Sequence, residues 1–400
     1  MIARALLGLV GSLAVSAASA AGGTAMDAAY DPGASNTEIR IGQTMPYSGP
    51  QSVLALQGTV MTAYFNDLNS RGGINGRMVN LISLDDGYSP PKTVEQTRKL
   101  VEGEEVLFIA GSLGTPTNAA IQAYLNAKRI PHLLIGSGSS KWHNPDKFRW
   151  SMTFYPSYRR EAQAYASYIK ATNPGANIAV LYQNDDSGRD FLADLKKSLG
   201  DDFKGRIVSQ IGFEVADPTV DSPLLNMKAA GSDVLVFAGP PKFAVQAIRR
   251  AHEIGWEPLR LFWSPATSIA GVFQPAGLAL AKGIVSALAF KAPLDPVWAE
   301  TPDVKDYLAF MRRVGLDGRA DDASAAYGYA SAAMLRRILE AAGNRLTREH
   351  ILEIATSLDA VDFPMVLPGI ALRSTPQDYD TFKSLKIQRF NGKSWEVPAP

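Results

Sequence analysis

The chain has 400 residues, 46% of them hydrophobic and 20% charged, with 40 Lys plus Arg balanced by 39 Asp plus Glu. That length allows roughly two domains of about 150 residues each, and the composition excludes a disordered chain or a coiled coil. The near-zero net charge excludes partners recruited by charge, such as nucleic acid or an anionic lipid surface.

At the N-terminus, basic Arg4, the apolar run Ala5 through Val15 and the small residues Ala18-Ser19-Ala20 read as a secretory signal peptide over 1–20. The apolar run is shorter than the roughly 20 residues a membrane span needs. Cys is absent, which excludes disulfides, thiol chemistry and cysteine lipidation, so a freely diffusing periplasmic monomer is expected. Residues 21–37, rich in Ala, Gly and Asp, read as a flexible leader, with folded sequence from about Glu38.

From Ile39 onward short apolar strands alternate with amphipathic helices, the pattern of βαβ units building a parallel sheet. The first array runs through strand Ile39 to Met45, helix Leu54 to Leu68, strand Val79 to Leu84, a helix opening at Pro90-Pro91, strand Val106 to Ala110, a helix opening at Pro116 and strand His132 to Ile135. A second array begins after Tyr155. Its strands are Ile178 to Tyr182, Arg206 to Phe213, Val234 to Ala238 and Leu259 to Trp263, and its helices lie at Glu161 to Ala171, from Asp190, at Leu224 to Ala230 and at Phe243 to Ile254. Helices Val304 to Val314, Ala325 to Ala342 and Arg348 to Leu358 follow, with apolar faces that need a sheet to cover. The fold class is α/β, with two Rossmann-like lobes.

Several segments resemble the type I periplasmic binding proteins, in particular the leucine/isoleucine/valine-binding branch that serves ABC importers. They are Ile41 through Pro50, Asn69 through Gly76, the Asp85-Asp86 turn, Gly111 through Thr117, Tyr182 through Gly188 and Ala247 through Gly255. The resemblance implies a three-segment hinge near Thr153, Ala289 and Gly369. Lobe 1 is then 38–153 plus 290–369, and lobe 2 is 154–289 plus 370–400. It further implies a non-catalytic carrier that closes on a small molecule and delivers it to inner-membrane permease and ATPase subunits.

Open parallel sheets bind ligands beyond the carboxyl ends of their strands. The loop Gly114-Thr115-Pro116-Thr117 therefore offers a capping hydroxyl and amides near Thr117, and Gly136-Ser137-Gly138-Ser139 is a second such loop. In the resembling family these loops hold a ligand carboxylate, at the positions of Gly114, Thr115, Gly138 and Ser139 here. Amino-acid binders of that family place an acidic residue after the strand ending at Trp263 to pair the ligand ammonium, and the matching position here is Ala266. Ser187 and Pro240 or Pro241 stand where that branch often has tyrosines. A buried ammonium without a carboxylate is costly, so a small organic acid with an apolar or aromatic body is expected, packed against Tyr47, Leu54, Tyr155 or Trp263. Core packing is the competing role for each aromatic residue. Amino-acid binding by the same fold, or a periplasmic sensor, is the alternative.

Other chemistries find little support. Ala110-Gly111-Ser112-Leu113-Gly114 approaches a nucleophile elbow without its first glycine, and no His stands in a suitable loop. Gly136-Ser137-Gly138-Ser139-Ser140-Lys141 has Lys where a dinucleotide fingerprint needs its third glycine. Asp185 and Asp186 read as turn residues, and with no HExxH, Walker A or EF-hand pattern neither metal nor cofactor is expected.

Overall fold

The computed structural model describes residues 29–398, so the signal-peptide segment lies outside the described residues. Within the first array β1 (Glu38–Met45), α1 (Leu56–Asn69), β2 (Met78–Asp85), α2 (Pro90–Arg98), β3 (Phe108–Ala110), α3 (Thr115–Ala127), β4 (His132–Ile135) and β5 (Ser151–Thr153) follow one another. The five strands pair in parallel in the order β2-β1-β3-β4-β5. Every residue of β3 and β4 is buried, the unbroken apolar run typical of a parallel strand covered on both faces. Strand β5 escaped sequence reading because Ser151-Met152-Thr153 is too short and too polar to carry a pattern. A register shift between β4 and β5, with Leu134 at φ 51°, turns the end of β4 toward the loop that follows.

The second array comprises α4 (Tyr158–Thr172), β6 (Ile178–Gln183), α5 (Asp186–Leu199), β7 (Ile207–Phe213), α6 (Asp221–Ala229), β8 (Val234–Ala238), α7 (Pro241–Glu253), β9 (Leu259–Phe262) and β10 (Val285–Leu288). Its parallel order β7-β6-β8-β9-β10 repeats that of the first sheet. Helix α5 starts earlier than the periodicity suggests, because the Asp185 carboxylate accepts the Ser187 amide at 2.8 Å and caps it. The chain then supplies α8 (Pro302–Arg313), α9 (Ala323–Ala342) and α10 (Arg348–Ala355). Helix α9 packs against α1 in the first array, so closely that a Cβ on Gly328 would lie 2.6 Å from the Gln57 carbonyl oxygen. Finally β11 (Lys386–Phe390) adds to β10 in antiparallel fashion and β12 (Trp395–Glu396) to β11, making a seven-stranded sheet.

One expectation needs correction: part of the supposed flexible leader is folded. Ala29–Tyr30 pairs in parallel with Arg345–Leu346, and the Asp31 carboxylate accepts the Arg348 amide at 2.7 Å. These are long-range contacts that a local reading of an Ala/Gly-rich stretch could not reveal. No helix among the described residues is long and apolar enough to cross a membrane.

Candidate functional site: a cleft between the two sheets

In both sheets the strand order reverses between the first and third strands, and the loops leaving these strands diverge there to open a crevice. The two crevices face each other. Gln51 and Leu54 after β1, with Gly114 and Thr115 after β3, form one wall of a cleft. Ser187 beyond β6 and Pro240 beyond β8 form the other. The space between them amounts to about 1240 Å³, counting what is open to solvent at the mouth.

Polar groups of the first wall are largely engaged with one another. The Thr115 hydroxyl lies 2.7 Å from that of Ser137 and, reaching the other lobe, 3.2 Å from that of Tyr158 at the start of α4, and all three side chains are buried. Gly114, at φ 104°, takes a conformation that favours glycine and sets α3 with its first turn at the cleft. In that first turn Pro116 has no N–H, and the amides of Thr115 and Thr117 have no partner within the helix. Gln57 is held by donating to the Gly111 carbonyl at 2.9 Å.

The second wall is more apolar. Pro240 precedes α7 and Pro241 opens it, neither supplies an N–H, and the Pro240 ring lines the cleft. Trp263, after β9, packs edge-on to Tyr158 with centroids 4.8 Å apart. Tyr155 meets Tyr327 at 5.1 Å and Phe290 meets Tyr327 at 5.6 Å, so aromatic rings continue along the crossing segments.

Charges at the cleft are few. Lys291 is committed to Asp303, with contacts of 2.7 and 2.8 Å. Asp321 accepts the Leu294 amide at 3.2 Å, and burial, helped by nearby Asp295 and Asp322, pushes its carboxyl up to about 6. Behind the second wall Glu161 is wholly buried, accepting the Ser264 amide at 2.7 Å, and burial pushes its carboxyl up to about 8. The two walls touch at the rim. Gln51 donates to Gln183 at 3.0 Å, Tyr88 donates to Asp185 at 3.1 Å, and Lys141 pairs with Asp186 at 2.8 Å and Asp190 at 3.4 Å.

Of the residues singled out from sequence, Leu54, Gly114, Thr115 and Gly136 line the cleft from one side, and Tyr155, Ser187, Pro240 and Trp263 complete it. Ser137 stands one layer behind, supporting Thr115. The others fall elsewhere. Thr117 returns its hydroxyl to the Leu113 carbonyl at 2.6 Å. Gly138 is pressed against the Pro156 carbonyl, where a Cβ would come within 2.3 Å. Ser139 donates to Asp190, spending its hydroxyl on the opposite wall. Ala266 is buried in the core. Tyr47 sits outside the cleft, its hydroxyl 2.7 Å from that of Ser83, because the chain turns after Met45 and carries the ring over the outer face of the sheet. Sequence reasoning missed Gln57, Tyr88, Tyr158, Gln183, Tyr327 and Asp321 at the cleft. Only Gln183, at the carboxyl end of a strand, carried a local signal.

The competing chemistries also find their residues occupied. The Ser112 hydroxyl is fully buried and accepts the Thr44 amide at 3.0 Å. His132 is bound to Asn118 at 2.8 Å, and Asp185 caps its helix.

A family profile described as periplasmic binding protein matches residues 38–387. An amino acid binding protein of Pseudomonas aeruginosa is 24% identical over 226 residues, 54% of this chain and 58% of that protein, so the chain matches little more than half the length of this relative. Among solved structures, a branched-chain amino acid ABC transporter protein from Thermus thermophilus with bound valine superposes with a TM-score of 0.81 at 18% identity, over 91% of this chain and 96% of that one. A Rhodopseudomonas palustris solute-binding protein in complex with 4-hydroxybenzoate superposes with a TM-score of 0.73 at 15% identity, over 90% of this chain and 96% of that one. With the profile spanning most of its length, the chain belongs to the type I periplasmic binding protein family, whose members are solute-binding proteins and not enzymes.

Proposed function

We propose that this protein is the substrate-binding component of an ABC importer, exported by its N-terminal signal peptide, and that it captures a small organic acid with an apolar or aromatic body. Lobe 1 (38–153 plus 290–369) and lobe 2 (154–289 plus 370–400) close about their crossing segments. Ligand contacts to both walls favour the closed form, and no bond is made or broken. The observation that carries the ligand class is the asymmetry of the cleft. The first-turn amides of α3 supply donors for a carboxylate, while Pro240, Trp263 and Tyr155 supply an apolar surface, and the amine-anchor position is a buried Ala266. The relative bound to 4-hydroxybenzoate lends the aromatic version some weight.

Amino-acid capture is the second reading, favoured by the Asp321 carboxylate at the hinge end of the cleft and by the valine-bound relative. Differential scanning fluorimetry separates the two, using benzoates, fatty acids, neutral amino acids and the corresponding amides. Saturable stabilisation by the acids alone supports the proposal. Stabilisation by neutral amino acids, lost in Asp321→Asn, replaces it with the second reading.

A further inference from the structure

Glu161 is a wholly buried carboxyl beside the cleft that ligand capture as described leaves without a task. It lies on α4 near the N-terminus, where the helix field favours an anion, yet burial prevails and holds its proton affinity high. Its surroundings are Tyr165 on its own helix, Tyr155 on the crossing segment, Trp263 and Ser264 on the loop after β9, and, through Tyr165, Ser286 on β10. All are uncharged at neutral pH, so no cation is there to balance a carboxylate.

Proton counting leads to the same state independently. The Tyr165 oxygen is 2.6 Å from the Phe262 carbonyl oxygen and 2.7 Å from Glu161 Oε1. A carbonyl cannot donate, so the single phenolic proton is spent there, and the contact with Glu161 needs a second proton. Glu161 supplies it when its carboxyl is neutral. An ionised Glu161 would instead leave Tyr165 choosing between two acceptors, with one pair of oxygens facing each other unbridged.

We infer that Glu161 is a specificity-determining residue whose protonated state admits an anionic ligand, so that capture of the acid draws a proton onto the protein. This rests on the organic-acid reading above. Glu161 and the start of α3 are connected through contacts: Thr115 lies 3.2 Å from Tyr158, the Tyr158 ring packs on Trp263 at 4.8 Å, and Ser264, whose amide Glu161 accepts, forms the cleft wall next to Trp263. A carboxylate arriving in a closed cleft of low dielectric meets a neutral group where an ionised Glu161 would repel it. By linkage, the ligand anion raises the proton affinity of Glu161, and deprotonation weakens binding. Glu161 is a positioning group here, since it acts through Ser264 and through the local field.

The test uses the mature full chain with benzoate, 4-hydroxybenzoate and octanoate as probes. Isothermal titration at about pH 8 in two buffers of different ionisation heat should read uptake of a fraction of a proton, and affinity should fall by about tenfold between pH 7.5 and 9.5. In Glu161→Gln both effects should vanish while binding at pH 7 persists. A ligand-free arm follows from the sign of the shift. The folded carboxyl titrates near 8 and the unfolded one near 4.5, so the folded state binds more protons between them. Stability contributed by the neutral carboxyl is complete below 4.5 and declines as pH rises toward 8, and Glu161→Gln should remove that decline. Acid binding without proton uptake, or uptake that survives in Glu161→Gln, overturns the coupling alone. Binding of neutral amides with none of the acids overturns the ligand reading and this inference with it.

Discussion

The two walls of the cleft come from sheets of identical strand order, yet they are built on opposite principles. The first wall is a polar layer whose members hold one another, Thr115 to Ser137 and Gln57 to Gly111, with Thr115 also reaching Tyr158 of the second lobe. The second has fewer donors at its helix start, where Pro240 and Pro241 both lack an N–H, and presents Trp263 packed between Tyr158 and Phe191. The difference teaches that donor geometry and apolar area can be divided between two halves that meet only on closure. A ligand engaging one wall alone gains half of what the closed cleft provides, and this makes closure selective.

The comparison breaks most readily at Trp263. The ring is 6% exposed and contacts aromatic neighbours on two sides, so Trp263→Ala removes both packing and cleft surface. A loss of about 3–5 kcal/mol in folding stability is expected from burial of this kind, read as a lower midpoint in urea. Ligand-induced stabilisation should disappear with it. Near-native stability would mean that the second wall is not the packed surface described above.

Thr115→Val probes the other wall with a smaller effect. Valine keeps the shape but leaves the buried Ser137 and Tyr158 hydroxyls without their shared partner, which costs about 1–3 kcal/mol. Thr115→Ser should restore most of it. If the walls divide their tasks as argued, Thr115→Val lowers affinity for acids more than for the matching amides, whereas Trp263→Ala lowers both. Equal losses in a thermal-shift comparison would show that the first wall does not discriminate charge.

The two walls were also unequally legible in the sequence. Alternation of apolar strands with helices disclosed both sheets, because the central strands are buried apolar runs and the helices between them each have an apolar face. The loops after β3 and β4 were recognisable from glycines and hydroxyls at strand ends, and Gly114 and Thr115 line the cleft. The direction of each hydroxyl was not legible, since Thr117, Ser137 and Ser139 bond to partners set by tertiary packing. Glu161 was invisible as well. A glutamate early in a helix reads as a solvated residue favoured by the helix field, and only the fold shows it buried beneath Ser264. Strands β5 and β10 were missed because Ser151-Met152-Thr153 and Val285-Ser286-Ala287-Leu288 mix polar or small residues into short runs that no helix pattern flanks closely.

The smallest expected effect lies at the rim, where the walls meet through charge. Lys141 reaches Asp186 and Asp190 across the cleft, and the Ser139 hydroxyl donates to Asp190 beside it. These contacts exist only while the walls are together, so they belong to the closed state in the way a ligand does. They are also partly open to water, with the Lys141 side chain 37% exposed and that of Asp186 40%. A pair of this exposure contributes about 0.2–1 kcal/mol. Lys141→Met should therefore weaken ligand binding by less than about tenfold, chiefly through faster dissociation. Salt gives the sharper comparison. Wild-type affinity should decline with ionic strength toward that of Lys141→Met, and the variant should respond little. A variant that matches wild type at every salt concentration would assign closure to the hydrogen bonds of Gln51 to Gln183 and Tyr88 to Asp185, neither of which pairs two opposite charges for salt to screen.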